Sequence, residues 1–176
     1  MEIAVTENEE KRYAELQAVA LDYARHGETD SLATMLQHGL PVNLADTKGN
    51  TLLMLASYNE HADTARMLLD RGAEVDRPND RGQTPLGGAA FKGYGDVVEL
   101  LLKHGADIDA DNGGGMTPIM FASMFGRTGV MEQLKAHGAS LGRRNRLGLS
   151  ANFMVRLSRL VTGAKRIVFR QSGAAC

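Results

Sequence analysis

The chain has 176 residues, 43% hydrophobic and 23% charged, with a formal net charge of −1, values ordinary for one soluble globular domain. One cysteine, Cys176 at the last position, excludes a disulfide framework within these residues, and no prenylation box is expected. No apolar run approaches the roughly 18 residues of a membrane span, and the acidic start MEIAVTENEEKRYAEL lacks the apolar core of a secretory signal, so a cytoplasmic location is expected.

In chain order, residues 1–9 are polar and expected to be disordered. From about Glu10 to His26, Tyr13, Leu16, Ala20, Tyr23 and Ala24 recur at helical spacing and predict a helix. A second helix starts at Thr29 or Asp30, turns Leu32, Met35 and Leu36 inward, and ends at Gly39. The segments 46–78, 79–111 and 112–144 then repeat one plan, best formed in Gly82 to Ala110. Thr84-Pro85 is a helix start: the hydroxyl can cap free backbone N–H groups, and proline fits the first turn. Leu86, Ala89 and Ala90 follow, and Gly93 lets the chain turn. Asp96 can cap a second helix carrying Val97, Val98, Leu100, Leu101 and Leu102. His104 suits the negative end of that helix, and Gly105 a left-handed C-terminal cap. Asp46-Thr47-Lys48-Gly49 and Asn79-Asp80-Arg81-Gly82 are turn chemistry between copies, and Glu60 replaces the turn glycine in the second copy. Residues 145–170 read as a basic C-terminal cap, with one helix over Phe153, Val155, Leu157 and Leu160 and a short helix or strand over Ile167, Val168 and Phe169. Residues 171–176 are expected to be disordered.

The copies share one period. Gly39, Gly72, Gly105 and Gly138 are 33 residues apart, as are Gly49, Gly82, Gly115 and Gly148, and Thr51, Thr84, Thr117 and Ser150. Such a period marks a stacked repeat array, because two short helices cannot bury this much apolar surface alone. The unit Gly82-x-Thr84-Pro85-Leu86-x-x-Ala89-Ala90, Gly93, Val97-Val98-x-Leu100-Leu101-Leu102-x-x-Gly105-Ala106-Asp107 resembles the ankyrin repeat, and the resemblance covers roughly residues 15 to 145. It implies an all-α repeat solenoid of helix-turn-helix repeats with projecting β-turn fingers. The first copy, 10–45, lacks the Gly-x-Thr-Pro-Leu opening and reads as an N-capping repeat. The resemblance is specific for fold and nearly silent on partner. Where similar repeats carry histidine after Thr-Pro-Leu, this chain has Met54, Gly87 and Met120, so that histidine network is absent. Gly87-Gly88 inside a helix costs roughly 1 kcal/mol per glycine relative to alanine. It reads as a tolerated defect, in which case Gly87→Ala stabilises if the helix has room, or as a place where something approaches closely.

No constellation of catalytic residues is found. His38, His104 and His137 share one repeat position, but side chains pointing the same way from successive repeats, about 8–10 Å apart, rarely converge on one zinc at about 2.0–2.1 Å. Helix C-terminal packing is their expected role. Gly113-Gly114-Gly115 lacks the Gly-Lys-Ser/Thr ending of a phosphate loop. Gly148-Leu149-Ser150 is a repeat landmark, outside any nucleophile elbow. The expectation is a non-enzyme with no catalytic, metal or cofactor site.

The informative feature is a stripe. The resemblance places exposed residues where each first helix ends: Tyr58-Asn59, Phe91-Lys92 and Met124-Phe125. Tyr58, Phe91 and Met124 are 33 apart and should align, flanked by Asn50, Gln83 and Met116 in the fingers, with Lys48 and Arg81 at the tips. Repeated large apolar residues on an open surface suggest a protein-binding face; alternatively the rings fold onto neighbouring helices. The function expected is a protein-interaction module, an adaptor, inhibitor or accessory protein, and a monomer. A nucleic-acid-associated regulator is the alternative, because residues 143–176 carry eight bases and no acid while residues 1–30 carry eight acids and three bases. Opposite ends also allow head-to-tail contacts. Similar small ankyrin proteins of bacteria include companions of oxidative-stress enzymes, which the resemblance offers as a further possibility by analogy.

Overall fold

The structure is a computed structural model that describes residues 7–157. Expectations for residues 1–6, for Leu160 and the Ile167–Phe169 segment, for Arg159, Lys165, Arg166 and Arg170, and for the tail to Cys176 lie outside the described residues.

Four helix pairs follow one another: α1 (Glu7–His26) with α2 (Thr29–Gln37), α3 (Leu52–Tyr58) with α4 (Ala62–Asp70), α5 (Pro85–Lys92) with α6 (Gly95–Lys103), and α7 (Pro118–Met124) with α8 (Thr128–Ala136). A helix over residues 151–157, α9, follows. The first helices pack in one row, α1 on α3 on α5 on α7, and the second helices in another, α2 on α4 on α6 on α8. Between repeats the chain makes tight fingers. Single antiparallel bridges join Ala45 to Thr51 and Arg144 to Ser150, and no longer strand forms among the described residues. The core runs continuously along the stack through Leu32, Leu52, Leu68, Leu86, Leu101, Ile119 and Leu134, all fully buried. This is the all-α solenoid expected.

Local chemistry sets the helix ends. The Thr84 hydroxyl accepts from Gly87 N at 3.2 Å and that of Thr51 from Met54 N at 3.1 Å, each fixing a first turn. Thr117 departs from this pattern: its buried hydroxyl has no hydrogen-bond partner among the described residues. Asp96 does not cap α6, which begins at Gly95; it lies in the first turn, where its charge still suits the helix dipole. His38, His104 and His137 each donate from Nδ1 to the carbonyl four residues back, at 2.8, 2.8 and 3.0 Å. At the same repeat position Arg71 reaches the carbonyl of Met67 at 3.4 Å. Gly93 closes α5 at φ 90°, and Glu60, at the same repeat position, is forced to φ 68°.

One expectation at the N-terminal end is corrected. Helix α1 begins at Glu7 rather than Glu10; Glu7, Glu9 and Glu10 sit in its first turn, where the dipole favours them. Tyr13 and Leu16 are 47% and 52% exposed. By the 33-residue register α3 matches only residues 19–25, so among the described residues the earlier turns of α1 have no equivalent stretch of α3 beside them. At the other end Ala151 and Met154 face the core, and Phe153 is 48% exposed.

The glycine pair in α5 is not an empty defect. A Cβ at Gly87 would lie 1.8 Å from Asn112 Oδ1 and 2.4 Å from its Cγ. The buried Asn112 carboxamide fills the space that the side chains of Met54 and Met120 fill at the same position of neighbouring repeats. Its Oδ1 accepts from Thr84 N (2.8 Å) and the Thr84 hydroxyl (3.0 Å), and its Nδ2 donates to Ala110 O (2.9 Å). A polar link between repeats therefore stands where the histidine network is missing. Among the described residues this link to a helix-start threonine has no counterpart at the other fingers. Asp46, Asn79 and Asn145, in register with Asn112, each accept from backbone N–H groups of their own finger. In the fourth copy Asp111 takes over that duty, accepting from Gly113 N and Gly115 N, which releases Asn112 to the preceding repeat.

Candidate functional site

The first-helix row and the fingers enclose a groove of about 640 Å³. Its floor comes from the ends of α3, α5 and α7. Phe91 is the hub: its ring centroid lies 4.4 Å from that of Phe125 and 6.3 Å from that of Phe121, both edge-on. The Tyr58 ring lies nearly parallel at 6.4 Å. Tyr58, Met124 and Phe125 remain 42%, 44% and 45% exposed, while Phe91 is half-buried. The rings lean on one another, and one side of the stripe stays open.

The wall is formed by two fingers tied together by side-chain amides. Asn50 Nδ2 donates to both carboxylate oxygens of Asp46 (3.2 and 3.0 Å), Asn79 Nδ2 donates to Asn50 Oδ1 (2.9 Å) and also to Gln83 Oε1 (3.2 Å). Burial alone would raise the Asp46 pKa. Hydrogen bonds from the Asn50 side chain and from the N–H groups of Lys48 and Asn50, with the Arg25 charge, outweigh it and hold the carboxyl below its ordinary value. The wall is therefore held by an ionised carboxylate. Asp80 N also donates to Lys48 O at 3.1 Å, joining the fingers near their tips.

Of the residues singled out from sequence, Lys48, Asn50, Tyr58, Arg81, Gln83, Phe91, Met124 and Phe125 line the groove. Three do not. Asn59 turns back to donate to Leu55 O at 2.8 Å. Lys92 lies behind the stripe, with Nζ 4.9 Å from the Tyr58 ring and 5.7 Å from that of Tyr94, distances suited to a cation–π contact. Met116 packs against the core, and its sulfur accepts from Asn145 Nδ2 at 3.3 Å. Sequence reading missed Leu55 and Phe121, which with Gly88 line the groove three residues before the stripe. Residues three apart share a helix face, so subtracting three from 58, 91 and 124 finds them.

Among the described residues no group of three or more His, Cys, Asp or Glu side chains is placed to hold a metal, and no helix is long and apolar enough to cross a membrane.

Stacked helix pairs with projecting turns and an open concave groove define a repeat scaffold of the interaction type. A family model of ankyrin repeats in three copies matches residues 18–112 and 72–145, and the chain belongs to the ankyrin repeat family. An ankyrin repeat protein of Pseudomonas aeruginosa is 56% identical over 46 residues, covering 26% of this chain and 27% of that protein. The match thus spans about a quarter of the curated relative's length. Ankyrin repeats are in general protein-interaction modules.

Proposed function

We propose that this chain is a non-enzymatic, monomeric cytoplasmic protein that binds a protein partner through its concave groove and finger tips, as an adaptor, inhibitor or accessory protein. The supporting observation is the groove itself: exposed Tyr58, Met124 and Phe125 gathered around Phe91 and backed by a hydrogen-bonded wall. Clustered aromatic anchors in a preformed concavity are the usual seat of binding energy. The test is capture of partners from source-cell lysate by tagged wild type and by a Phe91→Glu/Met124→Glu variant, with circular dichroism to verify folding. A discrete protein captured by wild type and lost by the folded variant supports the reading. Retention of every captured protein by that variant refutes the groove as the binding face. A catalase or peroxidase among the specific captures would support the oxidative-stress role.

The nucleic-acid reading has less behind it. The Arg143 guanidinium donates to Asp109 O at 3.0 Å and that of Arg144 to Gly148 O at 2.8 Å, so each holds backbone. Binding to DNA or RNA at low salt that weakens steeply with added salt would revive it.

A further inference from the structure

We propose that the occupant of this groove is an extended acidic segment of the partner, with one large apolar side chain set between two carboxylates three residues apart. The proposal rests on the protein-interaction reading and names the chemistry of what binds. Its first support is shape. The floor around Phe91 is apolar and aromatic, and about 640 Å³ accommodates one large side chain with its neighbouring backbone.

Its second support is charge. The groove's charged lining residues are Lys48, Asp80 and Arg81. Lys48 and Arg81 are exposed at equivalent finger positions, and neither forms an ion pair among the described residues. Asp80 is exposed too and offsets one of them; its Oδ1 turns toward the neighbouring finger, 2.6 Å from where a Cβ on Gly49 would stand. The charged lining thus keeps a net positive balance of two cations to one acid, and Lys92 adds a further cation beside Tyr58.

Spacing sets the motif. Neighbouring repeats stack about 8–10 Å apart, and an extended chain advances about 3.3 Å per residue. Carboxylates meeting Lys48 and Arg81 together are therefore about three residues apart, with the anchor between them dropping to the floor. A nucleic-acid strand needs a continuous cationic track along its backbone, which two fingertips do not supply.

The test uses fluorescence anisotropy with the full chain and three short labelled peptides. One has the core Asp-Phe-Gly-Glu, one Lys-Phe-Gly-Lys, and one Asp-Ala-Gly-Glu. The first should bind at least tenfold more tightly than either of the others, and Lys48→Glu/Arg81→Glu should reverse the preference between the first two. Both substitutions are on exposed side chains, and circular dichroism should be unchanged. Equal binding of the acidic and basic peptides, or no binding of any, overturns the proposal. Lysate capture separates this from the broader reading. If Phe91→Glu/Met124→Glu loses a specific partner while Lys48→Glu/Arg81→Glu retains it fully, the interaction module stands and the acidic occupant falls.

Discussion

Gly87→Ala is the sharpest test of how this array is held together. Helix propensity alone favours the substitution by about 1 kcal/mol. The added Cβ, however, would sit 1.8 Å from Asn112 Oδ1 in a buried site, with no room to accept it. Asn112 must leave, and three hydrogen bonds go with it: two from Thr84 and one to Ala110. Stranding a buried donor such as Thr84 N costs about 1–3 kcal/mol, and the displaced carboxamide has to be housed elsewhere. The net expectation is a loss of about 2–4 kcal/mol, or a fall in melting midpoint of roughly 5–15 °C for a chain of this size. Urea titration of wild type, Gly87→Ala, Asn112→Ala and the double variant gives the cycle. In the Asn112→Ala background the clash is gone, so Gly87→Ala should be neutral or stabilising by up to about 1 kcal/mol. A Gly87→Ala protein as stable as wild type, or additive effects in the cycle, would refute the account.

Three further outcomes follow from the same geometry. Glu60 holds φ 68° at the place where Gly93 and Gly126 are left-handed, so Glu60→Gly should stabilise by about 0.5–1 kcal/mol, read as a higher urea midpoint at unchanged slope. Asp76 accepts from Asp107 N at 3.0 Å, while burial first, and then the Asp107 charge, raise its pKa. An acid raised in the native state weakens folding once ionised. The penalty is absent at pH below the unfolded pKa, sets in as pH rises, and is complete above the folded pKa. Asn43 makes the equivalent bond to Glu74 N at 2.9 Å, so Asp76→Asn fits the site. It should melt higher than wild type at pH 7, with the difference fading as pH falls through the carboxylate range. Gly88→Leu should keep or raise the melting midpoint yet abolish partner capture; loss of fold, or full capture, would contradict the placement of that residue in the groove.

The solenoid was legible because a repeat writes its fold several times. Glycines at 39, 72, 105 and 138 are the left-handed helix ends, with φ between 83° and 96°, and a period of 33 finds them without any structure. The stripe was legible for the same reason, since translation by one repeat aligns Tyr58, Phe91 and Met124. What escaped sequence reading is what breaks the translation. Asn112 looks equivalent to Asn79 but turns its oxygen from its own finger to Thr84 at the start of α5, because Asp111 has taken that finger and Gly87 has opened a space. Met116 and Asn59 sit at plausible positions yet satisfy a neighbour's amide and a helix carbonyl, choices fixed by side-chain rotation rather than by register. Tyr13 and Leu16 have helical periodicity, but periodicity does not say whether a neighbouring helix is there to be met.

The two adjacent glycines explain why the groove is hollow at its centre. One turn before the stripe, the floor positions are Leu55, Gly88 and Phe121, large at both ends and empty in the middle. A Cβ at Gly88 would meet only Tyr58 Cδ2, at 3.3 Å, so a side chain there would grow into the groove beside that ring. Gly87, about 100° further round the helix, faces the Asn112 carboxamide of the next repeat. Such a deletion of two side chains from one short helix would normally leave a cavity and let the helix collapse onto its neighbours. Asn112 prevents this by filling the inner void and bonding to Thr84 at the start of the same helix. Helix α5 is thus propped from within while left bare outside. That is how one repeat carries an open pocket without losing its place in the stack.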